Sequence, residues 1–237
     1  MSVYERELLL RSSDVDMHRR LRASVLFGLL QEAAIRHTEQ LGMGREKTLD
    51  KGILWVVTLQ SAEITRMPEY DEKIILRSWP GKTMHVLFPR YYSLYTTDGD
   101  PLIRVSSFWA LVDSRTRKLA FPERYGIEID GVTTEDEIPL PSAPKPIECT
   151  EGRQFTVPFS YVDLNGHMNN TRYFDLADDC IPCAAEGRPI RRILTEFSRE
   201  IRFGEPVDLR WGHDGNDWFF SGLSDGAPLF RMRMTYG

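Results

Sequence analysis

The sequence predicts an α+β fold in two tandem copies, each a helix packed against an antiparallel sheet. Three observations carry this expectation. Each half holds one stretch with helical periodicity, followed by several strand-like runs. A proline-rich segment, Ile138–Ile147 ("IPLPSAPKPI"), separates the halves and reads as a stiff extended linker. Residues also match between the halves at a constant offset: Val15–Asp16 with Val162–Asp163, Leu21 with Met168, Phe27 with Phe174, Leu29 with Leu176. The expected units are residues 1–137, a linker at 138–147, and residues 148–237.

The first half opens with a short strand candidate at Tyr4–Arg11. A helix is expected from about Ser24 to Leu41, because Val25, Leu26, Leu29, Leu30, Ala33, Ala34 and Leu41 share one stripe and Gly42 is a natural stop. Strand-like runs follow at Ile53–Arg66, Lys73–Trp79, Val86–Thr96 and Leu102–Val112, divided by the turn signals "MPEYDE", "PGK" and "TTDGDP". The second half repeats this plan. It has a strand at Gln154–Pro158, a shorter helix from about Thr171 to Cys180, and strands near Ile193–Phe203, Val207–His213, Trp218–Leu223 and Leu229–Thr235. Later in the two halves, "AEI" at Ala62–Ile64 resembles "REI" at Arg199–Ile201. Two such units can join edge to edge in one sheet, covering edges that otherwise invite aggregation.

Composition narrows the classes. The 237 residues are 41% hydrophobic and 27% charged, which suits a folded globular chain and excludes disordered or fibrous ones. A net charge of -5 argues against general nucleic-acid binding, which needs a basic face. No apolar run approaches the ~18 residues of a membrane span, and the start "MSVYERELLL" lacks the basic-then-apolar order of a secretory signal. Cys149, Cys180 and Cys183 are too few, and odd in number, for a disulfide framework. The expectation is a cytoplasmic protein without nucleic-acid or membrane partners.

The stretch that raises the functional question is Val162–Tyr173, "VDLNGHMNNTRY". Asp163, Asn165 and His167 occupy alternate positions just before the second helix, where side chains can project to one side. Gly166 permits a bend between Asn165 and His167. Asn169 or Asn170 suits the helix cap. Glu200, in a strand expected to cross near the helix start, would add a second carboxylate. In the first copy Asp16 matches Asp163, but His18 and Arg20 stand where the second has Asn165 and His167. Two readings remain open on spacing alone. These side chains either cap the helix, or they converge on a ligand as parts for water-mediated acyl hydrolysis, with freed backbone N–H groups at the helix start for an oxyanion.

"VDLNGHMNNTRYFDLADD", with "EFSREIRFGEPVDL" about thirty residues later, resembles the acyl-ACP thioesterases, whose second half carries a D-x-N-x-H-x-N-N-x-x-Y pattern. The resemblance covers nearly the whole chain. It implies two hotdog domains in tandem and hydrolysis of fatty acyl thioesters carried on acyl carrier protein, with the acyl chain housed in the first domain. Carried over residue by residue, it implies a site of Asp163, Asn165 and His167, with Glu200 as second carboxylate. Many members place a cysteine directly after that glutamate; here it is Ile201, which cannot act as a nucleophile. Activated water is therefore the expected attacking group. Asp163 and Glu200 would orient and activate it, Asn165 would hold substrate or water, and His167 would position or shuttle the proton. No metal or organic cofactor is implied, because thioester hydrolysis needs only water and placed dipoles.

The expected partner is acyl carrier protein, with a homodimer also compatible. Docking on an acidic carrier needs local cations; candidates are Arg19, Arg20 and Arg22, and the run Arg188, Arg191, Arg192. The C-x-x-C of Cys180 and Cys183 is expected to be buried small residues near a helix end. His37 is expected in the core and His18 at the surface or in a cap. The aromatics of the first sheet are first of all core. Two rival functions fit the same residues: hydrolysis of acyl-coenzyme A, and acyl binding without catalysis.

Overall fold

The computed structural model describes residues 3–237. The first half runs β1 (Tyr4–Leu9), α1 (Ala23–Gln40), β2 (Ile53–Ile64), β3 (Lys73–Pro80), β4 (Leu87–Thr96) and β5 (Pro101–Asp113). The second runs β6 (Glu151–Thr156), α2 (Arg172–Cys180), α3 (Pro182–Ala185), β7 (Ile190–Phe197), β8 (Pro206–Asp214), β9 (Asp217–Ser224) and β10 (Ala227–Tyr236). All ten strands form one antiparallel sheet in the order β1-β3-β4-β5-β2-β7-β10-β9-β8-β6. The second five strands repeat the first five in reverse order. The halves meet where β2 pairs with β7, from Leu59 opposite Glu196 to Glu63 opposite Arg192. This is the edge-to-edge union that the repeat allowed.

Helix α1 forms where the apolar stripe lies: Leu26, Phe27, Leu30, Ala33, Ala34 and His37 are all buried. Helix α2 is half as long as α1, with 9 residues against 18, because Ile181 precedes Pro182 and takes an extended conformation that cannot continue a helix. The short α3 that follows was not foreseen. The segment Ile138–Ile147 carries neither helix nor strand, and its Ser142 N–H donates to the Ser61 hydroxyl of β2 at 3.0 Å.

One hydrophobic core runs through both halves, from Leu26 and Leu30 to Phe174 and Phe230. At its middle the rings of Phe27 and Phe174 stack with centroids 4.1 Å apart and an interplanar angle of 1°. These two residues match in the sequence repeat, and like residues touch where a pseudo-twofold passes between copies. Phe174 is fully buried. Phe174→Ala should cost about 3–5 kcal/mol of unfolding free energy, read by denaturant titration, through lost transfer energy and the cavity left behind.

Candidate active site

The loop ahead of α2 folds on its own polar groups. The Asp163 N–H donates to the His167 carbonyl at 2.9 Å, and Asp163 Oδ1 accepts the Asn165 N–H at 2.8 Å. Gly166 sits at a φ of 79°, which favours glycine. The first copy folds the same way. The Asp16 N–H donates to the Arg20 carbonyl at 2.8 Å, and Asp16 Oδ1 accepts the N–H groups of His18 and Arg20 at 2.8 and 2.9 Å. Arg19 takes the left-handed conformation there, with a φ of 65°. The acid therefore has a turn-forming role in both copies.

The copies part at the positions that follow. His18 Nε2 lies 3.1 Å from the Ala185 carbonyl, and Arg20 donates to the Gly187 carbonyl at 3.0 Å, so the first loop is tied down onto the second half. In the second copy Asn165 is exposed, while His167 is buried with Nε2 3.2 Å from Glu200 Oε2. The Glu200 side chain is 36% exposed and so reaches water.

Glu200 does not lie in a strand, as the sequence suggested. Strand β7 ends at Phe197, and the N–H groups of Ser198 and Arg199 both turn to the Leu229 carbonyl. The loop that follows meets the motif, with the Met168 N–H donating to the Ile201 carbonyl at 2.7 Å. Ile201 itself is fully buried. The repeat alignment is corrected here as well. Arg199 pairs with Glu205, whose carboxylate also accepts the Arg202 N–H; in the first copy Arg66 pairs with Glu72, whose carboxylate accepts the Glu69 N–H. Arg199 thus corresponds to Arg66 rather than Ala62, and Met67 stands where the second copy has Glu200.

A residue that sequence reasoning missed completes the cluster. Arg117, in the turn after β5 of the first half, places Nη1 3.4 Å from Glu200 Oε1 and Nη2 3.4 Å from His167 Nε2. The turn is held by Asp113, whose Oδ1 accepts the Arg115 and Thr116 N–H groups and whose carbonyl accepts the Arg117 N–H. Burial pushes the His167 pKa below its usual range, Glu200 and Asp163 oppose this, and Arg117 and Arg202 add to it. The imidazole is neutral at pH 7. Arg117→Met should raise the His167 pKa by removing that cation, shift the acid limb of kcat/KM to higher pH, and lower kcat/KM on the order of tenfold. A pH–rate profile checks it, since a merely structural role would leave the limb in place.

Two openings flank the cluster, with no lining residue in common and His167 on the wall of neither. A cavity of about 330 Å³ between α1 and the first half's sheet is lined by Trp55, Phe88 and Trp109, with Asp163, Asn165 and Asn169 also on its wall. A groove of about 840 Å³ is lined by Glu200, Arg117, Arg199, Arg202, Leu119 and Phe203. The four residues picked from the sequence therefore divide. His167 and Glu200 are in contact, Asp163 and Asn165 face the neighbouring cavity, and His167 links them by its backbone bond to Asp163. The helix cap differs from the expected Asn169 or Asn170: the N-cap is Thr171, without a side-chain cap bond, and Asn169 Oδ1 accepts the Thr171 N–H and hydroxyl at 2.9 and 2.8 Å just ahead of the helix. Of the expected docking cations, Arg20, Arg22, Arg188 and Arg191 line one cleft of about 400 Å³, against the first copy's loop. Cys180 ends α2, Cys183 is buried in α3, and all three cysteines are free. Among the described residues no cluster of histidine, cysteine and carboxylate side chains could hold a metal, and no helix is long and apolar enough to cross a membrane.

Residues 1–125 match the family model described as acyl-ACP thioesterase N-terminal domain, and residues 144–220 match the acyl-ACP thioesterase C-terminal domain. The chain is 26% identical over 220 residues to the chloroplastic dodecanoyl-[acyl-carrier-protein] hydrolase of Cinnamomum camphora, covering 84% of this chain and 56% of that one. It is 22% identical over 214 residues to the chloroplastic palmitoyl-acyl carrier protein thioesterase of Arabidopsis thaliana, covering 84% and 52%. The chain thus spans about half the length of these plant relatives. Among solved structures, an acyl-ACP thioesterase from Bacteroides thetaiotaomicron superposes with a TM-score of 0.88 at 23% identity, covering 99% of this chain and 98% of the other. The 12:0-ACP thioesterase from Umbellularia californica superposes at 0.84 with 21% identity, covering 99% and 97%. Both share the fold.

Proposed function

The chain belongs to the acyl-ACP thioesterase family, and on that premise we propose that it hydrolyses fatty acyl thioesters carried on acyl carrier protein, releasing the free fatty acid. The observation that carries this reading is the His167–Glu200 contact at 3.2 Å, beside an apolar cavity. In this reading the acyl chain lies among Trp55, Phe88 and Trp109, the phosphopantetheine arm lies in the groove of Arg117, Arg199 and Arg202, and the thioester lies between Asn165 on the cavity wall and Glu200 on the groove wall. Glu200 takes a proton from water as the oxygen attacks the carbonyl carbon. The Asn165 amide donates to the carbonyl oxygen as charge develops there. The C–S bond then breaks, and the proton held on the Glu200–His167 pair passes to the departing thiolate.

The carrier docks, in this reading, at the mouth of the groove. Its arginines sit beside Glu200, whereas Arg20, Arg22, Arg188 and Arg191 would deliver the arm to a loop that lacks the Asn and His. Both halves of one chain supply the site, so no second copy is needed to complete it. A reducing, cytoplasmic setting suits the three free cysteines. The test is purified protein with matched acyl-ACP and acyl-coenzyme A substrates across chain lengths. Free acid should appear faster from acyl-ACP. Equal rates from both carriers would remove the carrier preference, and saturable binding without free acid would overturn hydrolysis.

A further inference from the structure

We propose that the acyl cavity contains a polar subsite built on Arg90, which takes an acyl chain bearing an oxygen acceptor along its length: a hydroxyl, keto or carboxylate group. This rests on the acyl-thioester reading above and names the substrate class for the same site. Arg90 lies on β4 and is 5% exposed. Its Nη1 donates to the Ser78 hydroxyl at 2.9 Å and lies 3.2 Å from His37 Nδ1, and its Nη2 donates to the Thr38 hydroxyl at 3.2 Å. These contacts are to hydroxyls and an imidazole. Among the described residues no carboxylate forms an ion pair with it. Burial lowers its pKa, yet a guanidinium stays charged in a protein.

A buried cation without a counter-charge is costly, and a methionine of similar length would pack there without that cost. Arg90 and Thr38, whose hydroxyl accepts from it, are both residues of the cavity wall that also holds Trp55, Phe88 and Trp109. A plain hydrocarbon chain gains nothing from this cation. An oxygen on the chain gains a charge-assisted hydrogen bond at low dielectric, and a carboxylate also neutralises the site. The aromatic wall receives the methylenes, and the guanidinium fixes where along them the oxygen must fall.

The test compares acyl-ACP substrates of one chain length: unsubstituted, hydroxylated or oxidised to ketone at successive carbons, and carboxylated at the far end. At least one oxygenated substrate should exceed the unsubstituted one in kcat/KM by about tenfold or more, as a charged hydrogen bond allows. Arg90→Met should lose that preference and Arg90→Lys should keep part of it. Equilibrium binding of the same panel to the parent protein gives a second readout that needs no turnover, with the same preference expected in Kd. Unsubstituted chains favoured in both readouts, while still hydrolysed, would overturn this subsite and leave the thioesterase reading intact. Oxygenated chains bound preferentially without any hydrolysis would support the subsite and overturn the thioesterase reading instead.

Discussion

Glu200→Gln lowers kcat/KM for acyl-ACP by about a hundred- to ten-thousand-fold, the span expected when a general base is lost. The substitution keeps the shape of the side chain, so the loop from Ser198 to Glu205, anchored by the Arg199–Glu205 pair and the Met168–Ile201 bond, should stay in place. What disappears is the only carboxylate within ion-pair distance of His167 among the described residues. The Arg117 guanidinium also loses the carboxylate it faces. A thermal melt close to the parent's, with the rate collapsed, separates chemistry from folding. Asp163→Asn is the control that decides between the two acids. Its Oδ1 accepts the Asn165 N–H, and an asparagine Oδ1 can do the same. If Asp163 chiefly shapes the turn, as Asp16 does in the first copy, its variant loses far less than Glu200→Gln. A Glu200→Gln enzyme near the parent rate, with Asp163→Asn inactive, would move the base to Asp163.

How much of this could be read from the residues depends on distance along the chain. Helix α1 was legible because its stripe repeats at a period set by backbone geometry, and an edge-to-edge union was foreseeable from duplicated units with open edges, but not that β2 and β7 would form it. Within the motif, Asp163, Asn165 and His167 sit in one short window, so their grouping was visible. Glu200 was picked out, but its strand was drawn too long, because "FSREI" continues a β-like pattern while the backbone bonds turn away at Phe197. That error also shifted the repeat alignment, which the paired Arg66–Glu72 and Arg199–Glu205 contacts set right. Arg117 gave no signal. It lies in a polar turn of the other half, with positive φ, and only the union of the two half-sheets brings it to Glu200. The same union gathers Arg20 and Arg188, far apart in the chain, at the degenerate loop, because the pseudo-twofold gives each loop a cleft against the opposite half.

His167→Gln carries the other large effect, a loss in kcat/KM again on the order of a hundred- to ten-thousand-fold, with a changed pH profile. The folded imidazole is depressed below its usual ~6.5, mainly by burial, so it stays neutral through pH 7 and gains a proton only under more acid conditions. Neutral, it can donate from Nε2 to Glu200 and leave the carboxylate poised to accept a proton from water. Protonated, it forms an ion pair that makes Glu200 a weaker base. Activity should therefore hold across neutral pH and fall below the depressed value. The sign for stability agrees. Between the folded and unfolded pKa values the unfolded chain binds more protons, so stability contributed by this group declines as pH falls below ~6.5. Glutamine cannot titrate, so the variant's residual rate should lose that limb, and its stability should lose that share of the acid sensitivity. A variant that kept both the limb and the parent rate would show that the proton controlling turnover sits elsewhere, and would leave the 3.2 Å contact with Glu200 as a structural bond alone.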